Sequence, residues 1–131
     1  MSHSSLIIAV VLAVVIFAVF TFAKNAGVKG ISGAQAQDLL KDSSVVILDV
    51  RTQKEFKSGH IKGATLIPVQ ELSGRIGEIS AMKDKQVFVY CHSGMRSGMA
   101  AGILKKNGFT KVLNLRGGIG AWTASGGSTV Q

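Results

Sequence analysis

Hydrophobic residues follow two different patterns along the chain, and the boundary between them lies near residue 24. The stretch from Leu6 to Ala23 is 18 residues long, almost wholly apolar and uncharged. After it, short apolar runs alternate with mixed segments in which apolar residues recur at helical spacing. The pattern predicts an apolar N-terminal segment, residues 1–23, then a linker at 24–29 and one globular domain over residues 30–131.

The apolar segment is long enough for a membrane helix. At about 1.5 Å per residue it would span roughly 27 Å, close to the hydrocarbon thickness of a bilayer. A cleaved signal peptide is the alternative, but no Lys or Arg precedes the run and the run exceeds a usual signal-peptide core. We therefore expect Leu6–Ala23 to be a single-pass transmembrane anchor. Lys24 and Lys29 follow the run, which favours a cytoplasmic domain.

The domain alternates between strand and helix patterns. Ser32 is a cap-like residue before a helical segment, and Thr52 and Glu55 stand in capping-box register. This alternation predicts an α/β fold whose mostly parallel sheet is covered by helices on both faces. The predicted strands are Val45–Val50, Ala64–Val69, Gln86–Tyr90 and Lys111–Leu115.

Charge and composition exclude several classes of function. Lys and Arg number 15 against 7 Asp and Glu, and all of these charges lie at or after Lys24. The cluster of Lys105, Lys106 and Lys111 is typical of a solvated face. No pattern indicates nucleic-acid binding, and no His/Cys cluster offers a metal site, so we expect neither a metal nor a cofactor.

Cys91 is the one cysteine of the chain, so no internal disulfide can form. It follows a predicted strand and precedes a predicted helix, which places its sulfur among loop N–H groups at a helix N-terminus. Such surroundings lower the pKa of a thiol. Gly94 permits a tight turn, and Arg96 is expected to curl back and add positive charge. A buried structural cysteine is the alternative.

Three motifs together resemble the rhodanese-homology family of sulfurtransferases. They are LDVRTQKEFKSGHIKGATLIP, CHSGMRS and LRGGIGAW, and the resemblance covers roughly residues 30–125. It implies a five-stranded α/β domain in which Cys91 accepts a sulfane sulfur and passes it on. It also implies an active-site loop that binds substrate and is shorter than that of the related phosphatases: His92, Ser93, Gly94, Met95, Arg96 and Ser97. Membrane-anchored, single-domain members of this family have a similar layout.

Other residues near the predicted strand ends have more than one interpretation. Asp49 is expected to accept hydrogen bonds near the loop rather than to act as a general acid. Arg51 either binds an anionic donor or pairs with an acid such as Asp49. His60 is expected to hold its own loop. Gly98 and Gly102, four residues apart on a helix, are expected to allow close packing on the sheet.

The function predicted from the sequence is sulfur transfer by a membrane-tethered enzyme. Thiosulfate is the expected type of donor, and a thiol or cyanide is the expected acceptor, with a persulfide on Cys91 between the two steps. The alternative is a membrane-anchored persulfide carrier or protein-binding adaptor without turnover.

Overall fold

A computed structural model of the chain describes the backbone of residues 2–25 and 28–131 and the side chains of residues 2–19 and 28–131. The described strands and helices alternate through the domain, and two single 3-10 turns, Ile76–Glu78 and Ser80–Met82, follow the fourth helix. The strands are β1 (Lys29–Ile31), β2 (Val46–Asp49), β3 (Thr65–Leu66), β4 (Val87–Tyr90) and β5 (Val112–Leu115). The helices are α1 (His3–Asn25), α2 (Gly33–Leu39), α3 (Gln53–Ser58), α4 (Val69–Arg75), α5 (Met95–Lys106) and α6 (Gly118–Ala124).

The N-terminal segment forms the helix α1. Its large apolar side chains between Leu6 and Val19 are exposed. The predicted anchor, Leu6–Ala23, continues past the last described side chain of this helix. Over the part of the chain that the structure describes, no helix is long and apolar enough to cross a membrane. The described residues therefore do not support the predicted transmembrane helix.

The five strands form one sheet in the order β1-β5-β4-β2-β3, and every neighbouring pair is parallel. The predicted parallel α/β fold is confirmed, with helices on both faces of the sheet. The pattern of apolar runs missed β1, whose first residue, Lys29, lies inside the predicted linker; residues 26 and 27 of that linker lie outside the described part. β1 joins the sheet by pairing with β5, where Ile31 is opposite Leu115.

Strand β4 lies at the centre of the sheet and is buried on both faces, which explains its continuous apolar sequence. Val87, Val89 and Cys91 belong to the core cluster that also holds the buried residues of α4 and α5. Phe88 and Tyr90 belong to the cluster on the other face, with Trp122 of α6 among others. The alternation of the strand thus sets the direction in which its last residues point.

Local sequence explains where two of the helices begin. The predicted capping boxes at Ser32 and Thr52 are both present, so α2 and α3 start directly after them. Helix α4 is short: it ends at Arg75, and the two 3-10 turns follow. Two glycines in this segment lower its helix propensity.

The prediction for Gly98 and Gly102 was wrong. Both are exposed on α5, and a Cβ at either position would meet no atom within 4 Å. The residues of α5 that are buried are Ser97, Ala100, Ala101 and Leu104. The close contact with the sheet is therefore made by the buried alanines, while the two glycines face solvent.

Candidate active site

The thiol lies at the end of β4, where the chain turns into α5. Asp49 of β2 is opposite Tyr90 of β4 in the parallel register, so these two strands end at one level of the sheet. Gly94 adopts a left-handed conformation, with φ of 108°, directly before the first residue of α5. The N–H of Gly94 donates a hydrogen bond of 3.0 Å to the Cys91 Sγ. The loop therefore turns its backbone donors toward the sulfur.

The Cys91 side chain is nearly buried, with 1% of its surface exposed. Burial alone raises the pKa of the thiol, because a thiolate loses hydration there. The Ser97 side chain and the backbone of Ser97, Gly94 and Ser93 lower the pKa by more than burial raises it, so the net pKa of Cys91 is lowered. The site thus favours a sulfur anion through hydrogen bonds from its own loop.

Helix α6 holds the first residues of the loop from the side. The N–H of Ile119 donates a hydrogen bond of 2.9 Å to the carbonyl oxygen of Cys91. Gly118 has φ of 61°, and a Cβ there would overlap the carbonyl oxygens of His92 and Cys91. The glycine pair of the LRGGIGAW motif therefore lets α6 approach the backbone of the cysteine.

Asp49 and Arg51 form a buried ion pair beneath this region, with 0% and 4% of their surfaces exposed. The Arg51 Nη2 lies 2.7 Å from Asp49 Oδ2, and Nη2 also donates to the carbonyl oxygen of Gly59 at 2.7 Å. The guanidinium sits over the ring of Tyr90, 5.5 Å from its centroid. In this geometry Arg51 ties the segment after β2 to the loop near Gly59.

Arg96 forms an ion pair with Glu55 of α3. Its Nη1 and Nη2 donate to the two carboxylate oxygens of Glu55, at 2.7 and 2.9 Å. The physical reason is a carboxylate already fixed at the start of α3, which a flexible guanidinium can grip with two parallel hydrogen bonds. Sequence reasoning treated Glu55 only as a capping residue, and the 41-residue separation gave no sign of this pair.

The remaining predicted residues have simpler surroundings. His92, Ser93 and Met95 are exposed at the mouth of the loop. His60 is half-buried, where its Nδ1 lies 2.8 Å from the carbonyl oxygen of Phe56 and its ring stacks on the Phe56 ring. Among the described residues, no group of His, Cys, Asp and Glu has the arrangement of a metal site.

An open groove of about 680 Å³ adjoins the loop. The loop contributes His92 to it, and Cys91 does not line it. The groove therefore lies beside the thiol rather than around it. Its other lining residues come from the α3 region, from α6 and from the C-terminal segment: Arg51, Lys54, Glu55, Ser58, Gly59, Ile119, Gly120, Thr123 and Thr129.

Residues 32–125 match the family model described as a rhodanese-like domain. The chain belongs to the rhodanese-like domain family. A relative named Sulfurtransferase, from Allochromatium vinosum, is 40% identical over 95 residues, which are 72% of this chain and 87% of that protein. The solution structure of a rhodanese-like domain from Anabaena superposes with a TM-score of 0.70 at 30% identity, and the match covers 79% of this chain and 78% of that one.

Other relatives differ in length. The uncharacterized protein YibN of Escherichia coli is 34% identical over 122 residues, which are 92% of this chain and 85% of that protein. That match is longer than residues 30–131 alone, so it reaches into the N-terminal segment. The chain spans only 59% and 46% of the lengths of two Bacillus subtilis relatives that it matches.

The buried ion pair between Asp49 and Arg51 is expected to be required for the stability of this rhodanese-like domain. Asp49→Ala leaves the Arg51 guanidinium buried without its carboxylate, which should destabilise the domain by about 3–5 kcal/mol. Urea unfolding followed by circular dichroism measures this loss. The matched control is Asp38→Ala, which breaks an exposed pair with Lys41 and should cost at most about 1 kcal/mol. Equal unfolding midpoints for the two variants would show that the buried pair is not a structural requirement.

Proposed function

We propose that this rhodanese-like chain is a sulfurtransferase that carries sulfur on Cys91. In the first step the Cys91 thiolate attacks the outer sulfur of a donor such as thiosulfate. The sulfur–sulfur bond of the donor breaks, sulfite leaves with the bonding electrons, and a persulfide remains on Cys91. Neither metal nor organic cofactor takes part in this step.

The second step returns the enzyme to its starting state. A nucleophile, either a thiolate or cyanide, attacks the outer sulfur of the persulfide. Cys91 leaves as a thiolate, which is the form that its surroundings favour. The Gly94 N–H and the other loop donors stabilise negative charge on sulfur before and after each transfer.

One observation carries this proposal. The Cys91 sulfur accepts the hydrogen bond from Gly94, and its pKa is lowered although the side chain is nearly buried. A structural cysteine in an apolar core would have its pKa raised. A relative named Sulfurtransferase adds support from the family.

A persulfide carrier or adaptor without turnover is the second candidate. Met95 and Met99 of α5, 79% and 62% exposed, give this face an apolar character beside a thiol that is 1% exposed. Exposed apolar side chains are typical of protein-binding surfaces. A carrier would accept sulfur from thiosulfate but release it to cyanide and small thiols far more slowly than it is loaded.

Substitution of the thiol tests the chemistry. Cys91→Ser should abolish transfer from thiosulfate to cyanide and leave the fold intact, because a serine hydroxyl is close in size and stays protonated. Mass spectrometry after incubation with thiosulfate should show the gain of one sulfur atom on the wild-type chain only. Turnover by the serine variant at the wild-type rate would refute the assignment.

We further propose that Leu6–Ala23 tethers the enzyme to a membrane. The support is the uncharged sequence of this segment and the exposure of its apolar side chains up to Val19. The full chain should then stay in the membrane fraction through a high-salt wash, since salt screens charge attraction but does not extract an apolar helix. A chain beginning at Lys24 should leave that fraction and keep its sulfur transfer. Release of the full chain by salt would contradict the proposed membrane tether.

The proposed orientation places the catalytic domain on the cytoplasmic side, because the lysines follow the apolar segment. A membrane-impermeant thiol reagent should then label Cys91 only after cells are opened. Its low exposure requires a matched measurement on opened cells, in which the same reagent must react. Strong labelling of intact cells would show that the catalytic domain lies on the opposite side of the membrane.

A further inference from the structure

Glu55 is held in place before any substrate arrives. Its carboxylate accepts hydrogen bonds from the Thr52 backbone N–H at 3.2 Å and from the Thr52 hydroxyl at 3.1 Å, within the capping box of α3. The same carboxylate accepts both hydrogen bonds of Arg96. These bonds, with that of Arg96 the strongest influence, lower the pKa of Glu55 to about 2, so it is ionised at neutral pH.

The pair determines how much positive charge the loop presents. Arg96 is the one Lys or Arg residue of the loop. Hydrogen bonding to Glu55 is the main cause that raises the pKa of Arg96, and the charge of Cys91 raises that pKa further. Because the fixed carboxylate of Glu55 cancels this charge, an incoming anion meets a pair that is nearly neutral.

The backbone N–H groups of the loop can donate hydrogen bonds to a sulfur-donor molecule of any charge. The partial positive charges of these N–H groups suit a single negative charge on sulfur. The Gly94 N–H already donates to the sulfur of Cys91 in this way. A dianion such as thiosulfate needs a further full positive charge, and it is repelled by Glu55 as well. The electrostatic free energy of binding a dianion therefore depends on whether Glu55 is ionised and bound to Arg96.

We propose that Glu55 is a positioning residue that sets donor selectivity: by holding Arg96, it favours singly charged sulfane-sulfur donors over dianionic ones. This inference rests on the proposed sulfur transfer to Cys91. It adds that thiosulfate is a poor representative of the donors this site is built for. The favoured class is thiosulfonates and persulfides that carry one negative charge at the sulfur.

The step is the same for both classes of donor. The thiolate of Cys91 forms a bond to the outer sulfur, and the donor's sulfur–sulfur bond breaks. The leaving group departs with the electron pair, as sulfite from thiosulfate or as methanesulfinate from methanethiosulfonate. No net oxidation or reduction occurs. Methanethiosulfonate, in which a methyl group replaces one oxyanion of thiosulfate, is thus a donor of similar size with one charge fewer.

Glu55→Gln is the decisive variant. Glutamine is also accepted at this position of a capping box, so α3 should keep its N-terminal hydrogen bonds while the charge is lost. The rates at which thiosulfate and methanethiosulfonate load sulfur onto Cys91 are measured by mass spectrometry, in the full chain. The ratio of the thiosulfate rate to the methanethiosulfonate rate should rise roughly tenfold, since the Glu55 carboxylate no longer cancels the charge of Arg96. The rise should shrink at high salt.

Two further variants separate this effect from a structural one. Glu55→Gln combined with Arg96→Ala should lose the rise, because the freed guanidinium is its source. Glu78→Gln changes the net charge equally but breaks only the exposed pair with Arg75, and it should leave the ratio at the wild-type value.

The possible results are distinct. An unchanged ratio in Glu55→Gln, an equal rise in Glu78→Gln, or a rise that persists when Arg96 is removed would each overturn this inference and leave sulfur transfer standing. Failure of both donors to load sulfur onto the wild-type chain would overturn the proposed function, and this inference with it.

Discussion

The hydrogen bond from the Gly94 N–H to the Cys91 sulfur is the contact on which the rest of the site depends. It exists because β4 ends at Tyr90, the loop turns at a glycine with φ of 108°, and α5 begins at Met95. The fold therefore supplies anion stabilisation through backbone groups, which cost no reorganisation when a substrate arrives.

The charged side chains around the loop serve a different purpose from the amides. Arg51 forms an ion pair with Asp49, and Arg96 forms an ion pair with Glu55. Both pairs connect the segment after β2 with another part of the rim, at Gly59 in the first case and at the start of α5 in the second. In each pair the carboxylate offsets the positive charge of the guanidinium.

Most of the fold was predictable from local sequence. The strands β2, β4 and β5 follow β-branched and apolar runs, and the capping boxes at Ser32 and Thr52 marked the starts of two helices correctly. β1 was not predictable in this way, because it contains three residues, Lys29–Ile31, and depends on pairing with β5 rather than on its own apolar pattern. The position of Cys91 after a strand and before a helix followed from the same local patterns.

The direction of long side chains was not predictable. The sequence spacing of Arg96 relates it only to Cys91 and does not reveal its ion-pair partner Glu55, which lies 41 residues earlier. Gly98 and Gly102 have the spacing of a close-packed helix face, yet they face solvent because the alanines of α5 meet the sheet instead. In both cases the outcome depends on which face of an element the tertiary structure buries, and a single helix does not contain that information.

The pH dependence of Cys91 alkylation tests the central claim most directly. The rate of reaction of the folded chain with iodoacetamide is measured across the alkaline range and compared with the same chain in urea. If the loop amides stabilise the sulfur anion, the midpoint for the folded chain lies below that of the unfolded chain, which is about 8.5 for a free thiol. A folded-state midpoint at or above the unfolded one would contradict this account, since burial would then outweigh the hydrogen bonds of the loop.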